Sequence, residues 1–112
     1  MCHRIRRQHT QNVAIGYLNI NSLRNKFENI TDLTGKAIDV LIFAETKLDS
    51  SFPNSQFKIP GYKQPYRLDV SSRSGGLLVL VNDQISSNVL REIDIAPDIQ
   101  ILPIELNLRS TK

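Results

Sequence analysis

Ile38-Asp-Val-Leu-Ile-Phe-Ala44 is an almost unbroken apolar run that closes on a carboxylate, Glu45. A half-exposed strand alternates apolar and polar residues, whereas a strand covered on both sides does not. The run is therefore expected to be a strand buried on both faces, with Glu45 at its lip. Upstream, Val13-Ala-Ile-Gly-Tyr-Leu-Asn19 reads as an earlier strand, its Val, Ile, Tyr and Leu suiting a buried, pleated position. Between the two, Leu23, Phe27, Ile30 and Leu33 recur at spacings of 4, 3 and 3. That spacing draws one apolar stripe along a helix of about three turns. Asn21 and Ser22 offer oxygens to cap its start, and Gly35 is a fair stop. Arg24, Lys26, Glu28 and Asp32 fall off the stripe and are expected to face water. Strand, helix and buried strand make a βαβ-like unit, which predicts a layered α/β protein with a mixed sheet and a flanking helix.

Downstream, Asp49 to Pro53 and Pro60-Gly61 are turn signals. Tyr62 to Leu68 is a strand candidate that Pro65 confines to an edge or a bulge, because proline cannot donate to a ladder. Ser71 to Gly76 is a polar loop whose two glycines can take positive φ. Leu77 to Val81 is a second doubly buried strand, and the pair around the loop reads as a hairpin. Ile99 to Leu108 is expected to be a further strand, with Ile104, Leu106 and Leu108 on one face.

Composition narrows the class. At 112 residues the chain has room for one small domain. A single cysteine, Cys2, excludes an internal disulfide framework and a cysteine-based zinc site. The net charge is +3, and Arg4, Arg6 and Arg7 supply all of it. They lie in residues 1–12, expected to be a disordered basic tail, which reads either as partnerless or as a phosphate-contacting arm. Residues 13–112 form the expected domain. No apolar run approaches the ~20 residues of a membrane span, so no membrane partner is expected, and an intracellular site, nuclear or cytoplasmic, is left open.

Chemistry concentrates at strand ends. Asn19 closes the first strand and Glu45 the second. A carboxylate there is either simply solvated or bound to a cation, and a hard divalent ion takes one or two carboxylates with water and phosphate oxygens. Asn19 either holds Glu45, meets a phosphate or shapes the turn. Lys63, Arg67 and Arg73 surround the hairpin loop, as solvated surface or as contacts to a phosphate backbone. Gly75-Gly76 lacks a phosphate-loop pattern, and no nucleophile elbow is present.

Leu18-Asn-Ile-Asn-Ser-Leu23 resembles the first motif of the endonuclease/exonuclease/phosphatase superfamily, and Ala44-Glu-Thr-Lys-Leu48 resembles its second. The finer resemblance is to the endonuclease domain of non-LTR retrotransposons of the LINE, jockey/CR1-like kind. It extends through Phe52-Pro53, Pro60 to Tyr62, Tyr66 to Asp69 and Gly75 to Val79, in that order, and covers about Val13 to Arg109.

The resemblance implies the N-terminal half of a DNase I-like four-layer α/β sandwich. It implies Glu45 as a ligand of catalytic Mg2+ and Asn19 beside it as a catalytic residue. Asn21 stands where apurinic endonucleases carry an Asp, which makes it a second candidate for the metal. The implied reaction is hydrolysis of a DNA phosphodiester, nicking target DNA to prime the reverse transcriptase domain of a parent polyprotein. The family's Tyr-x-Pro, Asp-x-Asn and Ser-Asp-His motifs do not occur in this sequence. The chain is therefore expected to be a fragment without nuclease activity of its own, prone to self-association through exposed sheet. The alternative is a non-catalytic module that binds nucleic acid or another partner.

Overall fold

The computed structural model describes residues 12–30, 38–90 and 100–108. The fold is α/β and mostly strand. Its strands are β1 (Ile15–Asn19), β2 (Val40–Ala44), β3 (Tyr66–Leu68), β4 (Leu77–Val81), β5 (Ser86–Val89) and β6 (Ile104–Asn107). A short helix, α1 (Phe27–Ile30), follows β1, and a 3-10 turn occupies Asn54–Phe57. The basic tail lies outside the described residues except for Asn12, and so do Leu33 and Gly35.

The main sheet has four strands in the order β1-β2-β4-β3. β1 runs parallel to β2, with Ile15 opposite Val40 and Asn19 opposite Ala44. β4 is antiparallel to both β2 and β3, which makes the sheet mixed. The two most apolar runs of the sequence thus take the two central positions. β3 takes an edge directly after Pro65, as the missing N–H requires.

Alternation along β2 and β4 divides the core. Leu41, Phe43, Leu78 and Leu80 face one side with Leu23, Ile30, Leu48, Phe57, Ile59 and Tyr62. There Phe27 meets Phe57 edge to face, with ring centroids 5.2 Å apart. Val40, Val79 and Val81 face the other side, with Ile42, Ile85, Leu102, Ile104 and Leu106 packed against them. Both faces of β2 are covered, as its unbroken apolar run requires.

The second layer is a two-stranded antiparallel sheet of β5 and β6. β5 carries no strand signal in its sequence, Ser-Ser-Asn-Val, and forms because β6 offers a partner from Ser86↔Asn107 to Val89↔Ile104. Ile104 and Leu106 turn to the core as expected, but Leu108 lies past the end of β6 and is exposed.

Three expectations change. β1 is not buried: Ile15 is 60% exposed, Tyr17 66% and Leu18 40%. It is an edge strand, and β5 and β6 pack over the β2–β4 part of the sheet. The helix starts at Phe27 and not beside Asn21, with a turn before it in place of a cap, and the expected continuation over residues 31–33 lies outside the described residues. Asn21 and Ser22 stand at φ 48° and 83°, not in the extended conformation an N-cap residue takes. Arg24 does not simply face water, because its guanidinium bonds two backbone carbonyls.

Candidate functional site

The lip of the sheet where β1 and β2 end is built from three loops. Ile20 N–H donates to Ala44 O at 3.0 Å, extending the parallel pairing by one step. Ser22 N–H then donates to Glu45 O at 2.8 Å and Leu23 N–H to Thr46 O at 3.0 Å. The loop after β1 is thereby zipped to the loop after β2. On the other side, Lys47 N–H reaches Gly75 O at 2.9 Å and Thr46 N–H reaches Gly76 O at 3.4 Å. Glu45 and Lys47 both adopt left-handed backbone, at φ 58° and 56°. Such conformations cost about 1 kcal/mol or more in a non-glycine residue, so the flanking hydrogen bonds are what hold them.

Glu45 sits half-buried in this frame. One of its oxygens, Oε1, accepts the Gly75 N–H at 3.3 Å. The Gly75 amide therefore orients the carboxylate, whereas Asn19 forms no hydrogen bond with it. Asn19 is exposed at the same lip, one register step back opposite Ala44. Thr46 is wholly buried beneath the turn, and its hydroxyl has no partner.

Asn21 belongs to a different arrangement. Its Oδ1 accepts Lys47 Nζ at 2.6 Å, and its carbonyl accepts Lys26 Nζ at 2.9 Å. An ammonium at that side-chain oxygen would compete with a divalent cation there. The described residues contain no cluster of three or more His, Cys, Asp or Glu side chains suited to a metal. Glu45 is the carboxylate at the lip, and a hard ion that keeps several waters can use a single carboxylate.

Of the three cations around the hairpin loop, expected as solvated surface or as phosphate contacts, Lys63 lies apart from Arg67 and Arg73. Lys63 N–H donates to Val81 O, at the end of β4 that pairs with Val40, and its Nζ reaches Ser87 Oγ at 3.3 Å. That is the end of the sheet opposite Glu45. Arg67 is an internal clamp. It bonds Asp69 at 2.6 Å, Phe52 O at 2.5 Å, Asn54 Oδ1 at 3.1 Å and Asp49 O at 3.1 Å, and it lies over the Phe57 ring. Arg73 is exposed in the loop leading to Gly75, on the Glu45 side.

Asp49, beside the clamp, titrates below the usual carboxylate range. The Ser51 hydroxyl and amide bond its charged form, and Arg24 and Arg67 add attraction.

A comparison with known proteins yields no matching family model and no matching curated relative. The functional reading therefore rests on the residues themselves. Sequence reasoning placed Asn19 and Glu45 at strand ends, where they are. It missed Arg24 and Gly75, which act through backbone carbonyls and amides that carry no residue-specific signal. No described helix is long and apolar enough to cross a membrane.

Proposed function

We propose that this chain is part of a divalent-metal DNA endonuclease domain of the non-LTR retrotransposon kind, and that it contributes the metal-binding Glu45. The observation that carries the reading is the shared lip. β1 and β2 run parallel in register, so Asn19 and Glu45 leave the sheet at the same end, and the Gly75 amide fixes the carboxylate. Two polar groups at the C-terminal ends of adjacent parallel strands mark the place where α/β sheets gather ligands. The ordered motifs from Asn19 to Val79 supply the chemical class.

Glu45 would hold Mg2+ through its carboxylate. A bound magnesium ion supplies charge neutralisation on phosphate oxygens and a more acidic water. Asn19, exposed beside it, presents an amide to the phosphodiester. The mixed sheet, whose β2 is covered on both faces, fits the front part of a DNase I-like four-layer sandwich. The parent protein would nick target DNA and hand the 3′-hydroxyl to a reverse transcriptase domain.

Alone, the chain is proposed to be inactive, since groups that act as a unit cannot be removed piecemeal without losing the rate. Titration with Mn2+, read by electron paramagnetic resonance, tests the metal reading. Weak binding that disappears in Glu45→Gln is expected. Binding unaffected by that substitution contradicts the proposal. Supercoiled plasmid with Mg2+ should remain intact, and Glu45-dependent nicking would contradict the inactivity.

A further inference from the structure

Arg24 is tied to the Glu45 lip by contacts that its sequence position does not announce. Its Nη2 donates to Ser72 O at 2.7 Å and to Lys47 O at 3.1 Å. Its guanidinium lies over the Phe52 ring, with Cζ 5.2 Å from the centroid. Its Nε is buried and has no partner. A cation so placed costs desolvation, and stacking on an aromatic face with donation to carbonyls offsets part of that cost. One guanidinium nitrogen therefore cross-links two loops. Lys47 ends the left-handed turn that begins at Glu45, and Ser72 lies in the loop that presents Gly75. The first of these segments carries Glu45 itself, and the second supplies the amide on its carboxylate.

We infer that Arg24 is the positioning residue of the Glu45 carboxylate, holding the 45–47 turn against the 71–76 loop so that Gly75 N–H meets Oε1. This rests on the reading of Glu45 as a metal ligand only for its functional consequence. The geometric claim stands apart from it. Groups that orient a ligand side chain typically alter metal affinity 10–100-fold when removed. Lysine cannot replace Arg24, because a compact ammonium lacks the planar fork that stacks on Phe52 while donating sideways.

Nuclear magnetic resonance separates the two claims. In the unaltered chain the Gly75 amide proton should respond to its acceptor by exchanging more slowly than a free loop amide, and Glu45→Ala should abolish that response. Arg24→Gln and Arg24→Lys should also abolish it, while amide protection of Leu41 and Leu78 in the central strands persists. Mn2+ affinity should fall about tenfold in both variants. A Gly75 response unchanged in Arg24→Gln, or restored by Arg24→Lys, overturns the inference.

Absence of Glu45-dependent Mn2+ binding in the unaltered chain would overturn the metal reading and leave the Gly75 response to decide Arg24. If the variants do not fold, the Arg24 side-chain signals decide. Hindered, slowly exchanging Nη protons are expected, and a freely rotating guanidinium overturns the inference.

Discussion

Gly76 lies directly against the buried hydroxyl of Thr46, so that a Cβ built on Gly76 would overlap Thr46 Oγ1. The contact joins the last residue of the hairpin loop to the turn that carries Glu45. Gly76 also stands at φ 105°, where an L side chain is strained whatever the space. Gly76→Ala is therefore expected to destabilise the fold by at least ~2 kcal/mol, combining backbone strain with displacement of Thr46. Chemical denaturation checks this, and a change under ~0.5 kcal/mol would show that the turn yields.

The sheet should be unequal across its width. Phe43 on β2 is fully buried, and Phe43→Ala is expected to cost ~3–5 kcal/mol. Tyr17 on β1 is 66% exposed, and Tyr17→Lys should leave stability within ~0.5 kcal/mol. The same substitution should reduce self-association, since a lysine on an edge strand discourages further pairing. Sedimentation over a concentration series should show association in the unaltered chain and less of it in the variant.

Two groups give opposite pH dependences. Tyr62 is 5% exposed, and its hydroxyl donates to Ile38 O at 2.5 Å. Burial, then the Asp39 charge, raises its pKa above the usual 10.0. Its folded pKa exceeds its unfolded one, so its contribution is complete below pH ~10 and is lost as pH climbs through the raised value. Asp49 behaves in the other sense. Its pKa is lowered from 3.8, so its contribution is present above that value and is lost as pH falls below it. Melting temperatures across pH should show an alkaline decline reduced in Tyr62→Phe and an acid decline reduced in Asp49→Asn.

Arg67 should act on stability. Replacing it with alanine leaves the Phe52 carbonyl without its donor, leaves the Asp49 carbonyl only the Phe52 N–H and removes the Asp69 ion pair, at an expected ~2–4 kcal/mol. Arg67→Lys should recover little of this, since one ammonium cannot reproduce the forked geometry. Urea denaturation of both variants measures it, and a fully restored midpoint in the lysine variant would contradict the clamp.

Much of the sheet was legible because its two central strands are apolar runs that are short, rich in β-branched residues and bounded by polar ones, a combination that favours a strand covered on both faces. Pro65 announced the edge position of β3. β1 looked equally apolar, yet its burial depends on what packs over Ile15 and Tyr17, which no local pattern encodes. β5 escaped notice because Ser86 to Val89 gains its strand form from pairing with β6, a non-local cause. At the site, Glu45 and Asn19 were legible as polar ends of apolar strands. The left-handed backbone of Glu45 and Lys47, the Gly75 amide and the Arg24 cross-link were not, because backbone groups are the same at every residue.

The most direct test of the central claim is a map of paramagnetic broadening by Mn2+ across the amide resonances of the chain. The account predicts broadening centred on Glu45, reaching Asn19, Thr46 and Gly75, sparing Lys63 and Ser87 at the far end, and absent in Glu45→Gln. Broadening centred elsewhere, or unchanged in Glu45→Gln, would contradict Glu45 as a metal ligand.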